Sequence, residues 1–208
     1  MSLHSDRIAE LLAPFLGHQT LEVAQLESLC TYLNLLLQWN SRMNLTSIRD
    51  PEQIVVRHFG ESLFAAQQLF PKHTFESVID VGSGAGFPGI PIKIWNSTVG
   101  LVLLESNGKK ATFLREVVRA LGLKQVEVQS TRAESASTKA SLVSLRAVEQ
   151  FKDILPVARK LLQPEGRLAL LIGEAQVKAA ISILPDFTWN DPIRIPLSDN
   201  RVFLVGNS

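Results

Sequence analysis

The sequence of 208 residues predicts an α/β fold, with a mainly parallel sheet that follows a helical segment and ends in an antiparallel hairpin. Three observations support this prediction. Helical periodicity of apolar residues fills the start of the chain, short apolar runs then alternate with helical patterns, and a polar turn joins the last two runs. Alternating strands and helices build βαβ units, whose strands lie parallel. We therefore expect a helical extension at residues 1–72, packed on an α/β domain at residues 73–208.

The helical segment begins with an amphipathic pattern. Its apolar residues recur at three- and four-residue steps, which predicts one stripe along a long helix; they are Val23, Leu26, Cys30, Leu33 and Leu37. A further helix is expected to begin at Pro51. There Asp50 can cap the helix, and Gln53 stands three residues after the cap, where a capping-box partner belongs.

Seven short apolar runs are expected to form the strands. Five of them, at residues 78–81, 101–104, 126–128, 142–145 and 168–172, are separated by helical patterns and should form the parallel part of the sheet. The last two, at residues 193–195 and 202–205, flank Ser198, Asp199 and Asn200. These three residues favour a turn, so the two runs predict the antiparallel hairpin.

Composition limits the kind of protein. The chain is 46% hydrophobic and 20% charged, which suits one α/β core with a small appendage. No segment approaches the roughly 20 apolar residues that span a bilayer, and its single cysteine cannot form an internal disulfide. We expect a cytoplasmic monomer with no membrane anchor and no bound metal. Because the net charge is only +1, nucleic acid would have to bind a local basic surface.

The most informative motif is a glycine-rich segment between a predicted strand and a predicted helix, Asp80-Val81-Gly82-Ser83-Gly84-Ala85-Gly86-Phe87-Pro88-Gly89. Glycines permit a tight turn and let the backbone approach a ligand, and a helix start offers free N–H groups. Glu105 ends the second predicted strand, where its carboxylate can accept hydrogen bonds from both hydroxyls of a ribose. An acid two residues before the glycine triplet favours an S-adenosylmethionine site.

The glycine spacing leaves alternatives open. Gly84, Gly86 and Gly89 also satisfy the Gly-x-Gly-x-x-Gly spacing of dinucleotide-binding proteins, so a nucleotide-binding oxidoreductase remains an alternative. The chain has no second domain large enough for the substrate of a hydride transfer, which argues against it. The acid at Asp80 can instead hydrogen-bond the loop amides and touch no ligand.

Seven ordered segments match one known family. They are Trp39-Asn40-x-x-Met43-Asn44-Leu45-Thr46, Arg49-Asp50-Pro51, Arg57-His58-Phe59, the stretch from Asp80 to Pro91, the stretch from Leu104 to Leu114, Arg132-Ala133-Glu134 and Arg146-Ala147-Val148. Over most of its length the chain thus resembles the bacterial guanine-N7 methyltransferases of small-subunit ribosomal RNA, also called glucose-inhibited division protein B. The resemblance implies a Rossmann-like class I methyltransferase fold, S-adenosylmethionine as cofactor, and methyl transfer to a guanine N7 in 16S rRNA, as RNA or within the small ribosomal subunit.

The resemblance and the glycine loop together imply a set of cofactor-binding residues. They are Asp80, Gly82, Gly84, Gly86, Phe87, Glu105, Ala133, Glu134 and Arg146. By this resemblance Ala133 and Glu134 would meet the adenine, and Arg146 would meet either the methionine carboxylate or an RNA phosphate. The chain departs from the family pattern at Leu145, where a serine is usual, at the missing Asp before that strand, and at Ile172-Gly173, where Lys-Gly is usual.

Guanine N7 carries a lone pair and no proton, so its methylation requires orientation and no general base. We therefore name no catalytic base, and Arg146 is a candidate positioning residue. The departures near Arg146 leave a second alternative, a non-catalytic ribosome-binding or assembly factor that keeps the fold. A methyltransferase for small molecules or proteins would share every cofactor residue, so only the family match and the N-terminal motifs favour RNA.

A rim of cations is expected to bind RNA phosphates. The candidates are Arg42, Arg49, Arg57, His58, Lys109, Lys110, Arg115 and Arg119. Arg115 and Arg119 lie opposite the apolar face of the helix after Glu105, and two lysines at its start oppose the helix dipole. Exposed like charges on a helix are also common without a ligand, and a lone histidine such as His58 is more often a structural hydrogen-bonding residue.

Overall fold

The computed structural model describes residues 3–70, 75–147 and 150–208. The expected domain boundary at residues 72 and 73 lies outside the described residues, as does Val148 of the last matching segment. Within the described ranges, no helix is long and apolar enough to cross a membrane.

The described strands form one sheet, in the order β3-β2-β1-β4-β5-β8-β6, with β7 also paired to β8. Their bounds are β1 Ser77–Val81, β2 Gly100–Leu104, β3 Val126–Gln129, β4 Ala140–Arg146, β5 Leu162–Gly173, β6 Thr188–Trp189, β7 Ile193–Arg194 and β8 Arg201–Asn207. Strands β1 to β5 are parallel, and β8 is antiparallel to β5. The predicted mainly parallel sheet and the terminal hairpin are thus confirmed, since β7 pairs with β8 in antiparallel register.

The helices cover both faces of this sheet. Their bounds are α1 Ser5–Leu16, α2 Val23–Asn40, α3 Pro51–Ile54, α4 Glu61–Leu69, α5 Gly89–Trp95, α6 Gly108–Ala120, α7 Phe151–Lys160 and α8 Val177–Ile183. A π-helical segment, Val55–Gly60, joins α3 to α4. The predicted start at Pro51 is confirmed, because the Asp50 carboxylate accepts a hydrogen bond from the Gln53 amide at 2.8 Å.

The predicted apolar stripe of α2 is only partly correct. Val23, its first member, is 73% exposed, because it stands at the first residue of the helix. The buried face instead follows Leu29, Tyr32, Leu33 and Leu36, which point toward the neighbouring helices α1, α5 and α6. The helix carries apolar residues on more than one side, so periodicity alone does not identify the buried side.

Two clusters of buried apolar residues lie in the molecule. One includes residues of α7, α8 and the sheet strands. The other joins residues of α1, α2 and the π-helical segment to residues of α5, α6 and the sheet. The N-terminal helices therefore share a core with the α/β part, and this contact places α2 next to the glycine-rich loop.

Candidate cofactor and RNA site

A cleft of about 920 Å³ lies at the carboxyl ends of the parallel strands. Open parallel sheets bind ligands at this edge. The cleft is bounded by the glycine-rich loop after β1, the residues after β2, a short turn after β3 and the end of β4. Residues 45–47, which precede α3, complete its wall. Seven of the nine predicted cofactor residues line it, namely Gly82, Gly84, Phe87, Glu105, Ala133, Glu134 and Arg146.

Three glycines give the loop its shape. Gly82, Gly84 and Gly86 have φ angles of 66°, 57° and 96°, in the left-handed region that favours glycine. Gly86 does not line the cleft. A Cβ there would overlap the Tyr32 hydroxyl and the Ile90 side chain, so this glycine permits close packing of the loop on α2.

Asp80 lies beneath the loop. Its side chain is fully buried, and its carboxylate accepts hydrogen bonds from the Gly89 amide at 3.1 Å and from the Ser144 hydroxyl at 3.0 Å. Burial raises the pKa of this carboxyl to about 7, although its hydrogen bonds oppose the shift. Asp80 does not line the cleft, and its carboxylate ties the loop to the start of α5 and to β4.

Glu105 lies in the cleft wall and organises the backbone around it. Its carboxylate accepts hydrogen bonds from the Gly84 amide at 2.8 Å and from the Asn107 amide at 2.7 Å. The side chain is 7% exposed. Each carboxylate oxygen has a second lone pair, so the group can still accept hydrogen bonds from a ligand.

The opposite part of the wall comes from the turn after β3. Ala133 and Glu134 form the start of a short 3-10 segment, Ala133–Ser135. Ala133 is buried and Glu134 is exposed, and both line the cleft. This arrangement offers an apolar surface and a carboxylate next to each other.

Aromatic rings support the loop from the side of α2. The Phe87 ring stacks on Tyr32, with centroids 5.3 Å apart, and on His58, with centroids 4.9 Å apart. The Tyr32 hydroxyl donates to the Ala85 carbonyl. The shape of the cleft at Phe87 therefore depends on the N-terminal helices as well as on the sheet.

His58 and Thr46 line the cleft together, and Thr46 was not among the predicted site residues. The His58 Nε2 atom lies 2.8 Å from the Thr46 hydroxyl. Burial, followed by the charges of Arg146, Arg201 and Arg57, lowers the pKa of His58 to about 3. His58 is therefore neutral at physiological pH, so it does not act as a phosphate-binding cation.

Three arginines meet on one buried carboxylate beside the cleft. Glu61 is 1% exposed, and its carboxylate forms ion pairs with Arg57 at 3.1 Å, with Arg146 at 3.0 Å and with Arg201 at 3.0 Å. Arg146 also donates to the Arg57 carbonyl at 2.7 Å. Three cations and one anion leave two positive charges in this group. Sequence reasoning missed Glu61 and Arg201, because nothing in their local pattern indicates that they converge.

These contacts change the expected role of Arg146. The residue lines the cleft, but its side chain is only 9% exposed, and Glu61 and the Arg57 carbonyl occupy its Nε and Nη2 atoms. Arg146 therefore holds the end of β4 against the π-helical segment.

The other cations of the predicted rim lie in different places, and some of them are engaged in hydrogen bonds within the chain. Lys110 lines the cleft, and Arg42 and Lys109 line a second cavity beside it. Arg49 donates to the Asn40 carbonyl at 2.6 Å and to Asn44 Oδ1 at 2.8 Å, so it stabilises the segment between α2 and α3.

The two arginines of α6 differ in a similar way. Arg115 donates to the Val128 carbonyl at 3.2 Å, which ties α6 to β3. Arg119 is exposed in the last turn of the helix.

In the described ranges, no group of three or more His, Cys, Asp or Glu side chains is arranged to hold a metal ion.

A family model described as rRNA small subunit methyltransferase G matches residues 25–182. The chain belongs to this family. It is 43% identical over 182 residues to the ribosomal RNA small subunit methyltransferase G of Xylella fastidiosa, covering 85% of this chain and 84% of that protein. The protein of the same name from Xanthomonas campestris pv. campestris is 38% identical over 204 residues, which cover 95% of this chain and 93% of the relative.

Solved structures confirm the predicted class I methyltransferase fold. The N-methyltransferase NodS of Bradyrhizobium japonicum, in complex with S-adenosyl-l-homocysteine, aligns with a TM-score of 0.64 at 13% identity and covers 83% of this chain and 97% of its own. The ribosomal protein L11 methylase of Lactobacillus delbrueckii subsp. bulgaricus aligns with a TM-score of 0.61 at 16% identity, covering 73% and 78% of the two chains.

Two departures of this member from the expected family pattern, at Leu145 and Ile172, lie in the core. Leu145 is fully buried and Ile172 is 4% exposed, and both belong to the apolar cluster that includes residues of α7 and α8. Neither lines the cleft. The apolar residues at these positions therefore serve packing within the sheet.

Proposed function

We propose that the protein transfers the methyl group of S-adenosylmethionine to N7 of a guanine in small-subunit ribosomal RNA. Membership in the methyltransferase G family carries this proposal, and the cleft at the strand ends supports it. In this proposal Glu105 accepts hydrogen bonds from the ribose hydroxyls, Ala133 and Glu134 meet the adenine, and Gly82 and Gly84 let the backbone approach the methionine part. We further propose that the enzyme acts as a monomer in the cytoplasm.

The residues of the cleft fit the requirements of this reaction. When bound, S-adenosylmethionine would supply an electrophilic methyl group, which would pass to the lone pair of guanine N7 as its bond to sulfur breaks and S-adenosylhomocysteine leaves. Guanine N7 carries no proton that has to be removed first. The chain therefore has to orient the guanine and exclude water, and no side chain has to remove a proton. Because His58 is neutral, it adds no positive charge beside a cationic cofactor.

The arginines on Glu61 give the cleft its electrostatic character. The two uncompensated positive charges attract either the methionine carboxylate or an RNA phosphate, and both are anions that a guanidinium binds well. Arg57 is the most accessible of the three, since 41% of its side chain is exposed.

The proposal is tested by mass spectrometry of nucleosides. Purified protein and S-adenosylmethionine are incubated with small ribosomal subunits, and separately with their RNA, from a strain that lacks this gene. New 7-methylguanosine in either sample is the expected result. If calorimetry shows cofactor binding but no methylated guanosine forms, the protein is a non-catalytic assembly factor or uses another acceptor. Tight binding of NADH without binding of S-adenosylmethionine would identify an oxidoreductase.

RNA binding gives a further prediction at the surface of α6. Arg119→Glu should weaken binding of small-subunit RNA at low salt and leave cofactor affinity unchanged, because Arg119 is exposed and does not line the cleft. Lys160→Glu is the matched control, since Lys160 is likewise exposed at the end of a helix, but α7 packs in the other apolar cluster, away from α2 and α6. Filter binding over a range of salt concentrations measures both variants. If Arg119→Glu and Lys160→Glu bind the RNA with equal affinity, Arg119 faces solvent and does not contact RNA.

A further inference from the structure

A second cavity lies beside the main cleft, between the last turn of α2 and the start of α6. Its volume is about 220 Å³, and it is lined by Gln38, Trp39, Arg42, Met43 and Lys109. Pockets for drug-sized ligands begin at roughly 300 Å³. The cavity therefore has room for one flat ring system and not for a larger molecule.

The indole of Trp39 is held in a fixed orientation. Its Nε1–H donates to the Glu116 carboxylate at 3.1 Å, and its ring lies 5.6 Å from the ring of Phe113, which is fully buried. The polar atom of the indole is thus satisfied inside the protein, and Trp39, which is half-buried, lines the cavity. A fixed aromatic face of this kind is a platform on which a nucleobase can stack.

Two cations flank this platform. Arg42 and Lys109 are both exposed, and neither side chain has a hydrogen-bond or ion-pair partner among the residues that the structure describes. Arg49 and Arg115, by contrast, are engaged with backbone carbonyls. The charges of Arg42 and Lys109 are therefore available to phosphate groups.

The cavity and the main cleft share two segments of chain. Met43 and Lys109 line the cavity, while Leu45 and Lys110, which are close to them in sequence, line the cleft. The cavity therefore lies within reach of the nucleotides next to a base that is held in the cleft.

We propose that this cavity binds a nucleobase that neighbours the target guanine, stacked on Trp39, while Arg42 and Lys109 contact the adjoining phosphates. This inference rests on the proposed function, because it takes RNA as the substrate. Stacking on an aromatic ring tolerates any base, so the cavity adds affinity and fixes the path of the strand without reading its sequence.

Fluorescence of Trp39 provides the first test. Replacing Trp95 and Trp189 by phenylalanine leaves Trp39 as the only tryptophan. This protein is titrated with oligoadenylate and with an abasic ribose-phosphate chain of equal length. Stacking predicts that oligoadenylate quenches the fluorescence and that the abasic chain does not. An equal response to both, or no response to either, would overturn the proposal.

A set of variants provides the second test, with fluorescently labelled oligoadenylate and anisotropy as the readout. Trp39→Leu should weaken binding by roughly tenfold, and Trp39→Phe, which retains a flat ring, should weaken it less. Arg42→Glu combined with Lys109→Glu should weaken binding of both the base-containing and the abasic chain, and Lys160→Glu should leave both unchanged. Trp39→Leu with the affinity of the unaltered protein would contradict stacking.

These measurements are independent of methyl transfer. Calorimetry with S-adenosylmethionine checks that each variant still folds around the cleft. If 7-methylguanosine forms but oligoadenylate does not quench Trp39, the cavity proposal fails and the proposed function stands. If quenching occurs without methylation of ribosomal RNA, the cavity still binds RNA bases and the proposed reaction fails.

Discussion

The imidazole of His58 stacks on Phe87 of the glycine-rich loop and lies near three guanidinium groups. Burial and these charges keep its pKa at about 3, below the usual value of 6.5. The unfolded chain takes up a proton at this side chain below pH 6.5, but the folded protein does so only near pH 3. Its contribution to stability is therefore complete above pH 6.5 and is lost as the pH falls toward 3.

His58→Gln should reduce this loss of stability in acid, because glutamine does not titrate. Between pH 7 and pH 5, the free energy of unfolding of the unaltered protein should fall by about 2 kcal/mol more than that of the variant. Urea unfolding of both proteins at the two pH values measures the difference. Asp80, whose pKa is raised, affects both proteins alike. If the free energy of unfolding falls equally in the two proteins, the pKa of His58 is not lowered in the folded state.

Gly82→Asp should abolish cofactor binding, because it places bulk and negative charge in the cleft, at the point where the proposed function brings the backbone close to the methionine part of the cofactor. Gly122→Asp is the matched control. Gly122 also has a positive φ, of 61°, but a Cβ there meets nothing within 4 Å, and the residue does not line the cleft. Both variants carry backbone strain, so calorimetry with S-adenosylmethionine should separate them. Cofactor binding retained by Gly82→Asp would contradict the placement of the ligand.

Single residues of the site differed in how well sequence could predict them. Glu105 was predictable, because an acid that ends the second strand of such a sheet lies at the ligand edge. Asp80 occupies the same edge, yet its side chain points beneath the loop, and no local pattern distinguishes these two directions. Glu61 and Arg201 were missed because they are 140 positions apart in sequence and meet only when α4 packs beside β8.

At the scale of elements, the π-helical segment between α3 and α4 places two residues beside the cleft. It contributes His58, which lines the cleft, and Arg57, which pairs with Glu61 at the start of α4. Its last residue, Gly60, lies against α1, where a Cβ would come within 2.5 Å to 2.8 Å of the Phe15 ring. π-Helical turns inside α-helices are frequent at functional sites.

Gly60→Ala should therefore destabilise the protein by roughly 1–3 kcal/mol through overpacking. Gly108→Ala is the control for the same chemical change, because Gly108 begins α6 and a Cβ there meets nothing within 4 Å. The control should be neutral or stabilising by up to about 1 kcal/mol, since alanine lowers the entropy of the unfolded chain. Urea unfolding measures both. If Gly60→Ala is as stable as Gly108→Ala, the close approach of α1 is not as described.

The sequence predicted long elements better than short ones. Five parallel strands were predictable because each is a short run rich in apolar residues, separated from the next by a helical pattern. Strand β6, Thr188–Trp189, was not, because two residues that pair only with β8 leave no periodic pattern. The π-helical segment was missed as well, since its apolar spacing does not differ enough from that of an α-helix.

At the scale of the whole molecule, α1 and α2 do not form a separate body. Leu12 and Phe15 of α1 belong to the same apolar cluster as Ile92 of α5 and Leu103 of β2. Trp39 lies in α2, whereas Trp189 lies in β6 at the far edge of the sheet. The fluorescence of Trp39 therefore reports on the N-terminal helices, and that of Trp189 reports on the far edge of the sheet.

One cooperative unfolding transition should follow from this shared core. Two variants, each with a single tryptophan at Trp39 or at Trp189, should unfold in urea with coincident midpoints, which their fluorescence measures. Circular dichroism gives the overall unfolding midpoint of each variant. Each fluorescence midpoint is compared with it, so that a change in stability caused by the tryptophan replacements is not mistaken for separate unfolding. Unfolding of the α2 region well before the sheet would show that the helical extension is an independent domain.

Helix α2 also sets a distance. Tyr32 contacts the glycine-rich loop and Trp39 lines the second cavity, and seven residues of helix separate them by about 10 Å along its axis. The spacing between the two sites is thus determined by helical rise, which does not adjust as a flexible loop would. One residue inserted between them would rotate Trp39 by about 100° around the helix and leave Tyr32 in place. In the proposed complex, the length of α2 between Tyr32 and Trp39 therefore fixes how far apart the RNA must place the target guanine and the stacked base.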